Sequence, residues 1–190
     1  MDSVTFYTLL NLAKAEFERS RAWRKLVAKD TSKSSTTATL YTTSFALPAT
    51  FIMTLPRRTL KLVNASSPTD VRDYTEVPWE RWDEYKNSAG YFTIDHANSV
   101  YYVGGTVSAT YTHNFFFIAT TTVLTSSASW VFPSEYHPAL AFLVAAMDEL
   151  GMDYDSINMM QGSANIGRYQ LILRSAIKWD DALARSSLGI

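Results

Sequence analysis

Phe6, Leu9, Leu10, Ala13 and Phe17 recur at three- and four-residue intervals near the start of the chain, the spacing of one buried helix face. Ser3 stands ahead of them as a candidate N-cap, and Trp23, Leu26 and Val27 prolong the apolar stripe towards Ala28. Glu16, Glu18, Arg19, Arg21 and Lys25 fall mostly away from the stripe and read as its solvated face. The sharper alternative has Arg21, Arg24, Lys25 and Lys29 touching an acidic partner. Residues 29–37 (KDTSKSSTT) are polar and aperiodic, and read as a connector.

The pattern then shortens to that of strands. Residues 39–41 and 43–47 read as extended up to Pro48, residues 49–55 as a helical turn before Pro56, and residues 58–63 as an alternating strand. Residues 64–70 read as a loop. Residues 78–86 (PWERWDEYK) predict a short helix with proline in its first turn and with Trp79, Trp82 and Tyr85 on one face. A meander of strands follows at 91–95, 99–103, 106–112 and 115–123, turning at His96-Ala97-Asn98 and at Gly104-Gly105. Ser134 is placed to cap a helix reaching Leu150, with Pro138 in its first turn and Gly151 as its stop. A last helix runs from Asp155 or Ser156 to about Leu183 and packs on residues such as Ala164, Leu171, Ile172, Ala176 and Trp179. The predicted class is α+β, in one structural domain. An N-terminal helix occupies 1–30 and a small, mostly antiparallel β-sheet region occupies 31–135. A C-terminal helical pair and tail occupy 136–190.

Composition narrows the function. Of 190 residues, 47% are hydrophobic and 14% aromatic, which excludes a disordered chain. Seventeen Lys+Arg balance 18 Asp+Glu, a net charge of −1 that argues against a general nucleic-acid coat. Zero cysteines remove disulfides, thiolate metal sites and a cysteine nucleophile. Asp2 in place of a basic n-region, with Lys14, Glu16 and Glu18 close behind, leads us to expect no targeting segment. The uncharged run from His96 to Ser134 is broken by Asn98, Gly104-Gly105, His113 and Asn114, which suits strands better than a membrane span.

Catalytic chemistry is sparse. His96, His113 and His137 lack metal-ligand spacing, and Glu135 and His137 would face different ways on a helix. The acidic neighbours Asp83-Glu84, Asp148-Glu149 and Asp180-Asp181 do not face one another across a cleft, as a carboxylate pair must in a glycosidase. The stretch Gly162 to Gly167 lacks the Lys-Ser/Thr of a phosphate loop. No catalytic, metal or cofactor site is expected, and the chain does not read as an enzyme.

Several short motifs are more specific than this background. They are Phe45-Ala46-Leu47-Pro48, then Asp73-Tyr74-Thr75-Glu76-Val77-Pro78-Trp79-Glu80, then Tyr101-Tyr102-Val103-Gly104-Gly105. Val131-Phe132-Pro133-Ser134-Glu135-Tyr136-His137-Pro138-Ala139-Leu140 follows, ahead of an Ala-rich helix. In this order, over roughly residues 40–180, they resemble the head-to-tail connector (adaptor) proteins of tailed bacteriophages. In those proteins an N-terminal helix leads to an "LP" motif and a small β-region, and a phrase like "fP.eyH..L" opens the C-terminal helices. The Thr-rich strands here make the middle more β-rich than the more helical adaptors.

The resemblance implies a structural virion protein without catalytic activity. It would form a ring, usually of twelve copies, under the portal in the neck, and would assemble in the host cytoplasm. Its implied partners are the portal protein, a downstream neck or tail protein, other copies of itself, and genomic DNA passing without sequence-specific binding. No membrane partner is implied. The family's C-terminal helix and tail engage the portal, which places Arg168, Arg174, Lys178, Trp179, Arg185 and Ile190 as portal-interface candidates; Trp179 could equally pack inside its own subunit. The tip of the β-region, around His113 and Asn114, is the tail-side candidate. Two other readings stay open: another neck or tail-completion ring protein, and a small ligand-binding or enzymatic domain built from unlinked residues such as Tyr41, Asp95 and His113.

Overall fold

The computed structural model describes residues 2–36, 38–55, 59–152 and 156–187. Its helices are α1 (Ser3–Arg19), α2 (Trp82–Tyr85), α3 (Pro138–Met152) and α4 (Ser156–Ser187). Its strands are β1 (Val27–Asp30), β2 (Ser34–Ser35), β3 (Ala38–Thr39), β4 (Ser44–Ala46), β5 (Phe51–Thr54) and β6 (Leu60–Asn64). The remaining strands are β7 (Val71–Glu76), β8 (Tyr91–Asp95), β9 (Val100–Val103), β10 (Thr106–Val107) and β11 (Tyr111–Ala119). An N-terminal helix, a curled and mostly antiparallel sheet and C-terminal helices make the class α+β, as the periodicities predict. Contacts divide the chain into a helical unit, Met1–Leu26 with Thr120–Ile190, and a sheet unit, Val27–Ala119.

In the sheet unit β11 is the spine. β1 and β2 pair with it along one side, β6 and β5 along the other, and β7, β8, β9 and β4 follow outward from β6. All these pairings are antiparallel except β7 with β8, where Thr75 and Glu76 meet Tyr91 and Phe92 in parallel. Strand alternation turns Tyr111, His113, Phe115 and Phe117 of β11 inward. They join Leu60 and Leu62 of β6, Phe92 and Ile94 of β8, and Tyr101 and Val103 of β9 in a dry core.

Three sequence expectations are corrected here. Residues 27–30 form strand β1 paired with β11 rather than prolonging the first helix, which ends at Arg19. Phe51–Thr54 is a strand on the end of β11, not a helical turn. Residues 106–112 and 115–123 are not two meander strands: Thr106–Val107 pairs with β3, and β11 runs unbroken through His113-Asn114. It can do so because the polar His113 ring is satisfied from inside the core.

The helical unit is built around Phe17. Its ring stacks on Trp23 at 5.0 Å between centroids and takes the edges of Trp130 at 4.8 Å and Phe132 at 5.2 Å. Trp23 is therefore buried by the chain folding back after α1, and its indole N–H donates to the Phe17 carbonyl at 3.0 Å. Asp2, not Ser3, caps α1, accepting from the Thr5 amide at 2.7 Å. Ser134 likewise makes no side-chain cap; it begins a 3-10 turn, Ser134–Tyr136, with Pro133 at the cap position, and α3 runs past Gly151 to Met152.

Candidate functional site

One polar cluster organises the helical unit. Lys14 and Glu18 lie four apart on α1 and are almost wholly buried, with Nζ 3.2 Å from Oε2. The sequence pattern placed Glu18 on the solvated face; instead the segment 120–130 covers it. Its carboxylate accepts from the Thr120 hydroxyl at 3.1 Å, the Thr121 amide at 3.2 Å, the Thr121 hydroxyl and the Trp130 indole at 3.1 Å. Lys14 also donates to the Thr121 carbonyl at 3.0 Å. Burial opposes the Glu18 charge, but the Thr121 and Trp130 bonds and the Lys14 ammonium together outweigh it and hold the carboxyl below its ordinary range. The full set of partners makes this an anchor, with no capacity left for a reactant.

A second ionic contact anchors α4. Buried Asp180 faces the Arg21 guanidinium at 3.3 Å and accepts from the Arg24 amide at 3.1 Å, while Arg21 also pairs with Asp181. Both acids of the Asp180-Asp181 pair thus turn to the segment after α1. The opposite side of α4 carries the portal-interface candidates Arg168, Arg174 and Lys178, all exposed, around the exposed Leu171. Arg168 lies over the Phe142 ring at 5.5 Å and bonds Asn165 at 3.4 Å. Trp179 turns inward, its ring 5.7 Å from Tyr136 and 6.4 Å from Phe132, so it packs within its own unit. Ile190 lies outside the described residues, and so does the side chain of Arg185.

The tail-side candidates are not a surface pair. Asn114 is half-buried, but His113 is fully buried: its Nε2 bonds the Ser35 hydroxyl and its Nδ1 the Tyr101 hydroxyl at 2.8 Å. Burial drives the ring's pKa down to about 4, against a small opposing pull from Asp30, so the imidazole is neutral. In an open cleft a serine against a histidine would suggest nucleophile and base. Here Ser35, His113 and Tyr101 are all buried. Asp95 spends its carboxylate on the Asn98 amide at 3.2 Å and side chain at 2.7 Å. Tyr41 sits in a separate 3-10 turn, Leu40–Thr42. Among the described residues Tyr41, Asp95 and His113 make no hydrogen bond with one another. Among the described residues no group of three or more His, Asp or Glu side chains is arranged to hold a metal ion, and no helix is long and apolar enough to cross a membrane.

Sequence reasoning missed the open apolar surface of α1. Val4 is 75% exposed and Val123 65% exposed, on either side of a groove of about 660 Å³ that also takes in Tyr7 and Leu12. A neighbouring cavity of about 580 Å³ is lined by Phe6, Leu10, Trp130, Leu140 and Val144. The signal was available: residues 3–13 contain no charged side chain, so the first half of α1 has no charged face.

The profile of one protein family, described as SU10 adaptor protein, matches residues 2–187 of the chain. No curated protein matches it.

Proposed function

This chain belongs to the SU10 adaptor protein family, a phage head-to-tail adaptor family of structural and non-enzymatic proteins, and on that premise we propose that it forms a ring beneath the portal, extends the DNA channel and presents a platform to the next neck or tail protein. The family match across residues 2–187 is the observation that carries this reading. Location in the virion and association with portal and tail proteins follow from the family. Twelve copies, assembly in the host cytoplasm and passage of DNA without sequence readout are our extension of it. A chain with net charge −1 suits that passage, since it lacks the excess of cations that would hold phosphates.

We assign portal docking to the end of α4, with Lys178, Arg185 and the tail to Ile190, and leave Trp179 the role of fixing that end against Tyr136. The tail-side surface is not carried by His113, whose burial removes it from contact; Asn114 stays as its half-buried neighbour. The test is a chain lacking residues 185–190, added to portal rings from the same phage. We expect an unchanged melting profile and attachment weakened at least about tenfold, the loss of one or two good interface anchors. Undiminished attachment would exclude the tail as the portal anchor.

A further inference from the structure

Two exposed patches of opposite character occur in the chain, one in each unit. On α4, Leu171 is 65% exposed and stands beside a shallow depression of about 490 Å³ that takes in Glu135, Tyr136, Ile172 and Ser175. Arg168 and Arg174 lie three residues to either side of it, both exposed and on the same side of the helix. Residues 161–179 of α4 hold three cations and no acid, and Glu135 is the one carboxylate bordering the depression. An exposed leucine between arginines suits a protein partner with an apolar centre and an acidic rim; a phosphate backbone has no use for the leucine.

In the sheet unit, Trp79 is 44% exposed, resting on Tyr102 at 5.6 Å between ring centroids. Glu76 precedes it and Glu80 follows, both exposed, and Glu80 shares a helix face with Asp83 and Glu84. Residues 76–86 hold four carboxylates and two cations. Both cations are engaged locally, Arg81 on Glu84 at 2.7 Å and Lys86 on Asp83 at 2.6 Å. Glu76 and Glu80 have no ion pair among the described residues. The patch is a half-exposed aromatic ring with two carboxylates beside it that have no ion pair among the described residues.

We propose that Trp79, Glu76 and Glu80 of one copy dock on the Leu171 depression, Arg168 and Arg174 of the next. The inference rests on the ring-forming reading and names its subunit contact. Complementary charge selects a second copy as the occupant: each patch finds its counterpart on the same chain. Because the two patches differ, the contact is head-to-tail, the kind that propagates into rings, whereas a patch meeting itself would stop at a dimer. Tryptophan and arginine are also the side chains that most often anchor such contacts.

The test uses the full chain in three forms: R168E/R174E, E76K/E80K and Trp79→Ala. Every substituted residue is exposed, so melting profiles should match the wild type and separate misfolding from lost contact. Self-association is followed by sedimentation velocity at low salt, and the number of copies held per portal ring by mass measurement. Each variant alone should associate at least about tenfold more weakly than wild type, and an equimolar mixture of the two charge-reversed chains should recover most of the loss. Recovery follows because each reversed patch then meets a reversed or native counterpart of opposite sign, closing an alternating assembly. Variants that associate like wild type, or a mixture no better than its components, would overturn the proposal. So would a wild-type chain that stays monomeric both alone and on portal. Full loading of portal by every variant would sink the contact and leave the adaptor reading standing. The charge-swap pattern without any portal binding would do the reverse.

Discussion

At the residue scale the helical unit depends on a buried charge pair. Removing Glu18 leaves the Lys14 ammonium in a dry site and strips Thr121 and Trp130 of their acceptor. We predict that Glu18→Ala costs about 3–5 kcal/mol in urea unfolding, the cost of orphaning one partner of a buried pair, whereas Glu16→Ala on the exposed side of the same helix changes stability by less than about 0.5 kcal/mol. The buried histidine gives a pH signature to the sheet unit. Its folded pKa lies at about 4 against an ordinary 6.5, so the unfolded chain takes up the proton first. The contribution to stability is full above pH 6.5 and is lost as pH falls towards 4, amounting to about 3 kcal/mol across that window. His113→Gln, which still donates and accepts hydrogen bonds, should flatten that slope in denaturation curves recorded between pH 7 and pH 4; an unchanged slope would assign the acid sensitivity elsewhere.

At the element scale, the last two motifs that carry the family resemblance are mostly architecture, while the one ending at Trp79-Glu80 surfaces. Tyr101 and Val103 are core residues, and Gly104 brings the chain against the end of the short helix. A Cβ on Gly104 would sit 2.5 Å from the Ser88 carbonyl oxygen, and one on Gly105, whose φ is +82°, would sit 2.8 Å from the Ala89 backbone. Gly104→Ala should therefore destabilise by about 1–3 kcal/mol, as overpacking against backbone does, measured by thermal melting. Phe132, Tyr136, Ala139 and Leu140 of the later motif are likewise buried, and the His137 Nε2–H donates to the Phe132 carbonyl at 2.8 Å. This is why sequence reached the fold class and family while placing the surfaces poorly: core residues repeat with the period of their element, and docking surfaces have no period. The two C-terminal helices were legible to within a few residues, whereas the first, expected to reach residue 30, ends at Arg19. Two-residue strands such as β2 and β3 were not, since their pairing is fixed by partners far along the chain. His113 was misplaced for the same reason, its burial being granted by Ser35 and Tyr101 from other strands. The seating of α4 is a further consequence of distant partners. Arg21→Ala should leave Asp180 buried without its guanidinium and speed hydrogen exchange in the last turns of α4, with the sheet unit unaffected.

At the scale of the whole molecule, the chain invests its polar groups in holding surfaces in place and leaves apolar ground open. The uncharged first half of α1, the groove between Val4 and Val123, and the patches at Leu171 and Trp79 are the surfaces a structural adaptor protein has to offer. With a near-neutral net charge and its Ser-His pair closed inside a core, binding between proteins is the work these surfaces support. The most direct measurement is the mass of the assembly formed by the purified chain, alone and mixed with portal from the same phage. Discrete ring-sized complexes that appear with portal are the predicted result, whether or not the chain is monomeric by itself. A chain that stays monomeric with portal, and ignores a preassembled portal–adaptor stack as well, would contradict the account.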